Sequence, residues 1–306
     1  MPVDRLELLS NGVKWPYLKL AKEKGKRSGG YHHFIDLPKT NAGPGVKLYC
    51  EGRYGGIHKI QFENVAHLGL RMVRKIAEEI FGDLKDVKIY RVDFCVDING
   101  ISQLDLALYC RVARAQNCCV LRSRSGVTFY LRYSKNFKLL FYDKIAQLRS
   151  RQPLTPEWFR KGELLTRVEV QLRGAALPFR RFADIEKYAD LDLLKEVSFK
   201  SRARKLANLK PMEALAAEGL LAKIERWGVQ MTSKMYPSST WASFQKKFLR
   251  PAEPEDFPDL NQLLKRSTRD WMENRIRFPR TGRHLQKRTV PSQVKRRHHR
   301  PSLMGA

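Results

Sequence analysis

The sequence predicts an α+β fold: an antiparallel-rich sheet with helices on one face, followed by a helical C-terminal region and a basic disordered tail. Three observations predict it. Segments 87–98 and 164–173 alternate apolar and charged residues, the pattern of strands with one buried face. Shorter strand-like runs, separated by turns that carry Gly, Ser or Asn, surround them as hairpins do. Helical periodicity falls between strand pairs and dominates late in the chain, instead of following each strand as a parallel βαβ order would require.

Taken in order, 14–20 and 31–37 read as two strands joined by a basic turn that contains Lys22, Lys24, Lys26, Arg27, Gly29 and Gly30. Segments 46–51 and 57–62 read as a second hairpin across Gly52-Arg53-Tyr54-Gly55-Gly56, where glycine permits the positive φ of a tight turn. Val65, Leu68, Leu70, Val73, Ile76 and Ile80 repeat at helical spacing over 64–81, and Gly82 stops that helix. A strand follows at 87–98. Ser102 caps a helix running to about residue 115, with Leu104, Leu106, Leu108 and Val112 as its apolar side. Strands at 119–123, 127–133 and 137–143 turn at Ser125-Gly126 and at Ser134 to Asn136, and 164–173 follows a loop.

The character changes after about residue 183. Segment 185–227 reads as helical, with Pro211 at a helix start and Leu215, Leu220, Leu221, Ile224 and Trp227 as apolar surface. Another helix is expected at 238–249, a linker at Pro251-Ala252-Glu253-Pro254 and a last helix at 259–275. No acid follows Glu273, and the remaining basic stretch has too little apolar content to fold alone. These breaks divide the chain into 1–183, 184–276 and 277–306.

Lys and Arg total 59 against 31 acids in 306 residues, a net charge of +28. Such an excess attracts polyanions and supplies phosphate contacts, which points to nucleic acid. The five cysteines lack Cys-x-x-Cys spacing, so neither a zinc site nor a disulfide framework is expected. No signal segment and no run of membrane-spanning length is present, which gives a cytoplasmic expectation with no membrane partner. No Gly-rich phosphate loop with its lysine appears, so ATP hydrolysis is not indicated.

Chemistry concentrates in three segments. In Arg91-Val92-Asp93-Phe94-Cys95-Val96-Asp97, alternation puts Arg91, Asp93, Cys95 and Asp97 on one face of a strand. In Arg167-Val168-Glu169-Val170-Gln171-Leu172-Arg173, Arg167, Glu169, Gln171 and Arg173 do the same. Bare charges cannot be buried, so these faces are wet or are neutralised by arginines and a cation. Asp93 and Asp97 stand roughly 13 Å apart along a regular strand and cannot share one ion. Asp93 and Glu169 on adjacent strands can, and two carboxylates with waters suit Mg²⁺ or Mn²⁺. Asp97, the third candidate ligand, holds the edge of the site or a basic side chain. In Phe141-Tyr142-Asp143-Lys144, Tyr142 shares its strand face with Lys138 and Lys144. Cationic neighbours and a metal would favour a phenolate that ordinarily forms only near pH ~10. Tyr130, Tyr133 and Tyr90 are rival phenols. The alternative to a site is a pair of salt-bridged strands facing solvent.

These three motifs, in this order and with these gaps, resemble the replication initiation factor family: rolling-circle initiators of plasmids and filamentous phages, and related conjugative relaxases. The resemblance covers roughly residues 45–180. It implies that Tyr142 is a nicking nucleophile and that Asp93 and Glu169 bind a divalent ion. The seven histidines contain no His-x-His pair, the metal-binding strand of the commoner nicking enzymes, so carboxylates would have to serve. One departure stands out: where the family often has a glutamate shortly after Tyr-Asp-Lys, this chain has Gln147.

The expected activity is therefore site-specific single-strand DNA cleavage and strand transfer through a 5′-phosphotyrosine, within a bacterial host cell. Segment 1–183 would be catalytic and 184–276 a DNA-binding accessory. Lys138, Lys144, Arg91, Arg167 and Arg173 are candidate phosphate contacts. Origin DNA, a host helicase and a host polymerase are the expected partners. A relaxase with the same chemistry, a non-enzymatic DNA-binding regulator and an RNA- or ribosome-binding protein are the alternatives.

Overall fold

A large antiparallel sheet organises the chain. The computed structural model describes residues 3–37, 45–53, 55–63, 65, 68–113, 119–123, 126–151, 164–202, 209–251 and 257–275. The elements in chain order are β1 (Val3–Ser10), α1 (Trp15–Lys24), β2 (Lys26–Ser28), β3 (Tyr31–Leu37), β4 (Val46–Gly52), β5 (His58–Glu63), α2 (Gly69–Phe81), β6 (Lys88–Asn99), α3 (Gln103–Tyr109), β7 (Cys110–Val112), β8 (Cys119–Ser123), β9 (Gly126–Tyr133), β10 (Phe137–Asp143), α4 (Lys144–Arg151) and β11 (Leu165–Arg173). Two 3₁₀ turns (Gly174–Ala176, Phe182–Asp190) lead to β12 (Val197–Arg202), α5 (Pro211–Ser233), α6 (Ser238–Phe248), β13 (Leu249–Pro251) and α7 (Leu260–Met272). Ten strands pair in the order β2-β3-β4-β5-β1-β6-β11-β10-β9-β8, and β13-β12-β7 form a small second sheet. The α+β class read from the sequence is the class observed.

One face of the large sheet is apolar because alternate residues of each strand share a side. Leu6, Leu8, Leu48, Ile60, Phe62, Val92, Phe94, Leu139, Phe141, Val168 and Val170 are buried there. Leu70, Val73 and Ile80 of α2 and Leu260, Leu264 and Trp271 of α7 join the same core. The indole of Trp271 also donates to the Val65 carbonyl at 3.2 Å. Each such apolar side chain contributes roughly 1.5–3 kcal/mol by leaving water. The last helix therefore belongs to the same core as the first strands. Residues Met1–Ile276 form one compact unit, and the division expected near residue 183 runs inside it. A smaller cluster joins α5 and α6 through Ala217, Leu220, Ile224, Trp241 and Phe248. The expected linker at 251–254 falls mostly outside the described residues, and the basic tail wholly so.

Three local expectations are corrected. Segment 14–20, read as a strand, begins α1: Pro16 in its first turn needs no donor there and presets a helical φ. The central strand that the sequence reading missed is β1, which lies between β5 and β6. The helix capped by Ser102 ends at Tyr109, because Cys110–Val112 turn extended to pair with β12. Ser102 itself caps as expected, its hydroxyl oxygen accepting from the Asp105 amide at 3.0 Å. Segment 185–227 is only partly helical: a 3₁₀ run and β12 precede α5, which starts at Pro211. That helix bends at Gly228, whose φ of 76° no side chain adopts readily. A Cβ there would lie 3.3 Å from the Ala107 carbonyl oxygen, so glycine also permits α5 to approach α3.

Candidate active site

The second face of the sheet carries the charges. Antiparallel register sets Asp93 opposite Gln171, Glu169 opposite Cys95, Arg167 opposite Asp97 and Arg173 opposite Arg91. Asp93 and Glu169 are therefore diagonal neighbours, with side chains on one face and within reach of a common ligand. On the far side of β11, Leu140 pairs with Glu169 and Tyr142 with Arg167, so Tyr142 shares that face. Together they line a cleft of about 450 Å³ with Asp4, Arg5, Glu63, Arg91, Thr128, Tyr130, Leu140, Gln147 and Gln171. The phenol and both leading carboxylates thus open into one polar space.

Tyr142 is 6% exposed. Its hydroxyl donates to Glu169 Oε2 at 2.9 Å, and Gln171 Nε2 donates to Glu169 Oε1 at 2.7 Å. Burial, and then the negative charge of Glu169, push the phenol well above its ordinary value. In this state Tyr142 keeps its proton. Arg91 grips Asp93 with two nitrogens, Nε to Oδ1 at 2.8 Å and Nη2 to Oδ2 at 2.5 Å. Burial nevertheless pushes the Asp93 carboxyl up to about 7 against that pull, and the Glu169 charge adds to the rise.

That rise has a sign. An unfolded Asp titrates near ~3.9, so between about pH 4 and 7 the folded chain holds a proton at Asp93 that the unfolded chain has lost. The contribution of Asp93 to stability is then greatest below about pH 4 and falls as pH rises to about 7, by at most about 1.4 kcal/mol per pH unit. Urea unfolding of metal-free protein across this range should show Asp93→Asn lacking that component of the slope. Parallel slopes for the variant and the parent would contradict the account.

The remaining expected residues fall in different places. Asp97 does not open into the cleft: Arg167 Nε and Nη2 donate to its two oxygens at 2.6 and 2.8 Å. Burial pushes the Asp97 carboxyl up, but the Arg167 guanidinium outweighs it and holds the group below the usual carboxylate range. Arg167 is 1% exposed and also donates to Asp4 at 2.9 Å. Arg167 is thus a buried strut whose guanidinium is committed to Asp97 and Asp4; Asp97 holds a basic side chain, one of the two roles expected of it, in place of a cation. Lys144 is not on the strand with Tyr142 either; β10 ends at Asp143, and Lys144 opens α4. It is buried and donates to Gln147 Oε1 at 2.8 Å, and burial lowers its pKa, with the Arg167 charge next in effect. Asp143 caps α4 by accepting from the Ala146 amide at 2.9 Å. Asp143→Ala should cost about 1 kcal/mol, read as a lower urea midpoint with an unchanged slope. Lys138 stands on the same strand face as Tyr142 but four residues away, beside a small basic depression with Arg91, Lys135, Gln171 and Arg173.

Several cleft residues escaped the sequence reading. Asp4 and Arg5 did so because β1 was not recognised, although Leu6 and Leu8 alternate there with Arg5 and Glu7. Glu63 and Thr128 carry no motif, and Gln147 stood out only as the departure from the resembling family's glutamate. Tyr130, expected as a rival phenol, does line the cleft. The side chain of Tyr133 lies outside those described, and Tyr90 stands outside the cleft wall. Among the described residues no three His, Cys, Asp or Glu side chains converge as a ready metal cage. Beside the guanidinium groups of Arg5 and Arg91, the cleft offers the carboxylates of Asp4, Glu63, Asp93 and Glu169 and the side-chain amides of Gln147 and Gln171, oxygen groups that fit a hard divalent cation retaining waters. No helix among those described is long and apolar enough to cross a membrane. Neither a family model nor a curated protein matches the chain.

Proposed function

We propose that the protein is a divalent-cation-dependent DNA nicking and closing enzyme, acting as a rolling-circle replication initiator through Tyr142. The observation that carries this reading is the shared cleft, where the Tyr142 hydroxyl touches Glu169 while Asp93 opens into the same space. The motif resemblance to the replication initiation factor family and the +28 charge support it. Asp93 and Glu169 would hold Mg²⁺ or Mn²⁺, which when bound offsets negative charge on the phosphate.

The chain's own groups account for the rest. Tyr142 releases its proton toward Glu169, and its oxygen attacks phosphorus. The P–O bond to the 3′ side breaks, the 3′ oxygen takes a proton from water, and the 5′ phosphate remains on Tyr142. The bond energy is conserved in the phosphotyrosine, so a 3′-hydroxyl can later reverse the step and close the strand. That 3′-hydroxyl would also prime a host polymerase, with a host helicase opening the duplex. Arg5 and Arg91 on the cleft wall bring positive charge to the phosphate, although Arg91 already spends two donors on Asp93 and Arg5 two on Glu7 and Gln61. Burial, and then the Glu169 charge, hold the proton on Tyr142 in the cation-free protein; a cation held by Asp93 and Glu169 would offset the second of these and favour transfer of that proton.

A supercoiled plasmid carrying the origin tests the reading. Nicked circles bearing protein at the 5′ end should form with Mg²⁺ or Mn²⁺ and vanish with chelator. A second reading, a non-enzymatic DNA-binding regulator, draws on Arg91 and Gln171 already satisfying the carboxylates; retained binding with no nicking under any divalent ion would select it.

Gln147 provides a further check. It lines the cleft at the position where the resembling family often has a glutamate, and Lys144 already supports its side-chain oxygen. Gln147→Glu adds a carboxylate to the donor set and should tighten Mn²⁺ binding about tenfold, measured by the signal of free Mn²⁺ in titration. Unchanged or weaker binding would place the cation elsewhere.

A further inference from the structure

The polar face continues beyond the cleft toward β3, where it carries aromatic rings. Tyr31 and Phe34 of β3 both meet Tyr49 of β4, with ring centroids 5.4 and 4.8 Å away. Lys59 Nζ stands 4.1 Å from the Tyr49 centroid and 5.5 Å from that of Tyr31. Nearer the cleft, β6 has one more residue than β1 between Arg91 and Ile89, a bulge at Tyr90. Bulges re-aim side chains next to working sites. Tyr90 is 37% exposed, and the Arg173 guanidinium carbon lies 5.7 Å from its ring centroid. Rings meant only for packing would lie on the opposite face, where the helices gather. These rings are half-buried or exposed on the charged face, interleaved with cations.

We propose that this strip, from Tyr49 through Tyr31 to Tyr90, is a stacking track that holds unpaired DNA bases beside the nicking cleft. Charge complementarity selects a polyanion, and rings on a sheet face select one whose bases are free to stack. A duplex hides its bases and would use only the cations. The inference rests on the DNA-nicking reading for its choice of DNA. It assigns Tyr90, otherwise a rival nucleophile, to binding.

The test is fluorescence anisotropy with a labelled oligothymidine of about 20 nucleotides, using the full chain. Tyr90→Leu and Tyr31→Leu should each weaken binding about 5- to 100-fold, while Tyr90→Phe and Tyr31→Phe stay within about twofold. An abasic strand of the same length should bind the unaltered protein as weakly as oligothymidine binds the leucine variants. That arm stands even if a Tyr31 variant fails to fold. Duplex binding should be insensitive to either leucine change. Equal affinity of the leucine variants and the parent for oligothymidine, equal losses on duplex and single strand, or tighter binding of oligouridine would each overturn the track. The two ideas fail separately. Nicking without a leucine effect removes the track and leaves the enzyme. A leucine effect without nicking removes the enzyme and leaves a single-strand binding surface.

Discussion

Tyr142→Phe should lower nicking of origin-bearing supercoiled plasmid by about 10⁴-fold or more, since removing the nucleophile leaves only positioning and charge. Phenylalanine fills the same space, so the sheet is retained. The lost hydroxyl leaves Glu169 one donor short, with Gln171 still bonded to its other oxygen. The stability cost should then be about 1–3 kcal/mol, and DNA binding should be unchanged. Tyr130 shares the cleft wall and is the control. Full activity in Tyr142→Phe with loss in Tyr130→Phe would move the nucleophile across the cleft to β9. Chelator-insensitive nicking by the unaltered protein would remove the role assigned to Asp93 and Glu169.

The second large effect concerns stability. Arg167→Met should destabilise the protein by about 3–5 kcal/mol, because it strips the counter-charge from a largely buried Asp97 and from Asp4. The methionine stem fills part of the space, so the loss is electrostatic before it is steric. Combining Arg167→Met with Asp97→Asn should recover part of the loss, since the two positions share one network. Arg173→Met at the end of the same strand face is the comparison and should cost no more than about 0.5 kcal/mol. Urea unfolding of the four proteins reads all of these. Equal costs at the two arginines would mean that the buried triad contributes nothing special.

The difference between those two arginines shows what the sequence could and could not convey. Alternation in 91–97 and 167–173 identified two amphipathic strands, and their charged faces do meet. The expectation that Tyr142, Asp93 and Glu169 share a face follows from period-two geometry alone, and the register satisfies it. Alternation cannot say which charge pairs with which across a ladder. One step of register decided that Arg167 faces Asp97 and is consumed, while Arg173 faces Arg91 and is left at the rim. The strand β1 was lost for a different reason. It is a single short amphipathic run with no hairpin turn beside it, and its place between β5 and β6 is a long-range outcome. With it went Arg5 and Asp4, two of the cleft's charges. Segment 14–20 misled because Trp15, Tyr17, Leu18 and Leu20 suit a strand or a helix in so short a window, and Pro16 was the signal that decided it. In the C-terminal region helical periodicity was real in α5, α6 and α7, yet nothing local announced that Trp271 would join the main core of Phe94 and Val65 and donate to the Val65 carbonyl.

The most direct test is to identify the residue that captures the cleaved strand. A single-stranded oligonucleotide spanning the nick site would be incubated with protein and Mn²⁺, the mixture denatured, and the proteolysed adduct sequenced by mass spectrometry. The account predicts a 5′-phosphodeoxynucleotide on the peptide containing Tyr142, absent when Mn²⁺ is chelated. An adduct on any other residue, or cleavage by hydrolysis with no adduct at all, would contradict it.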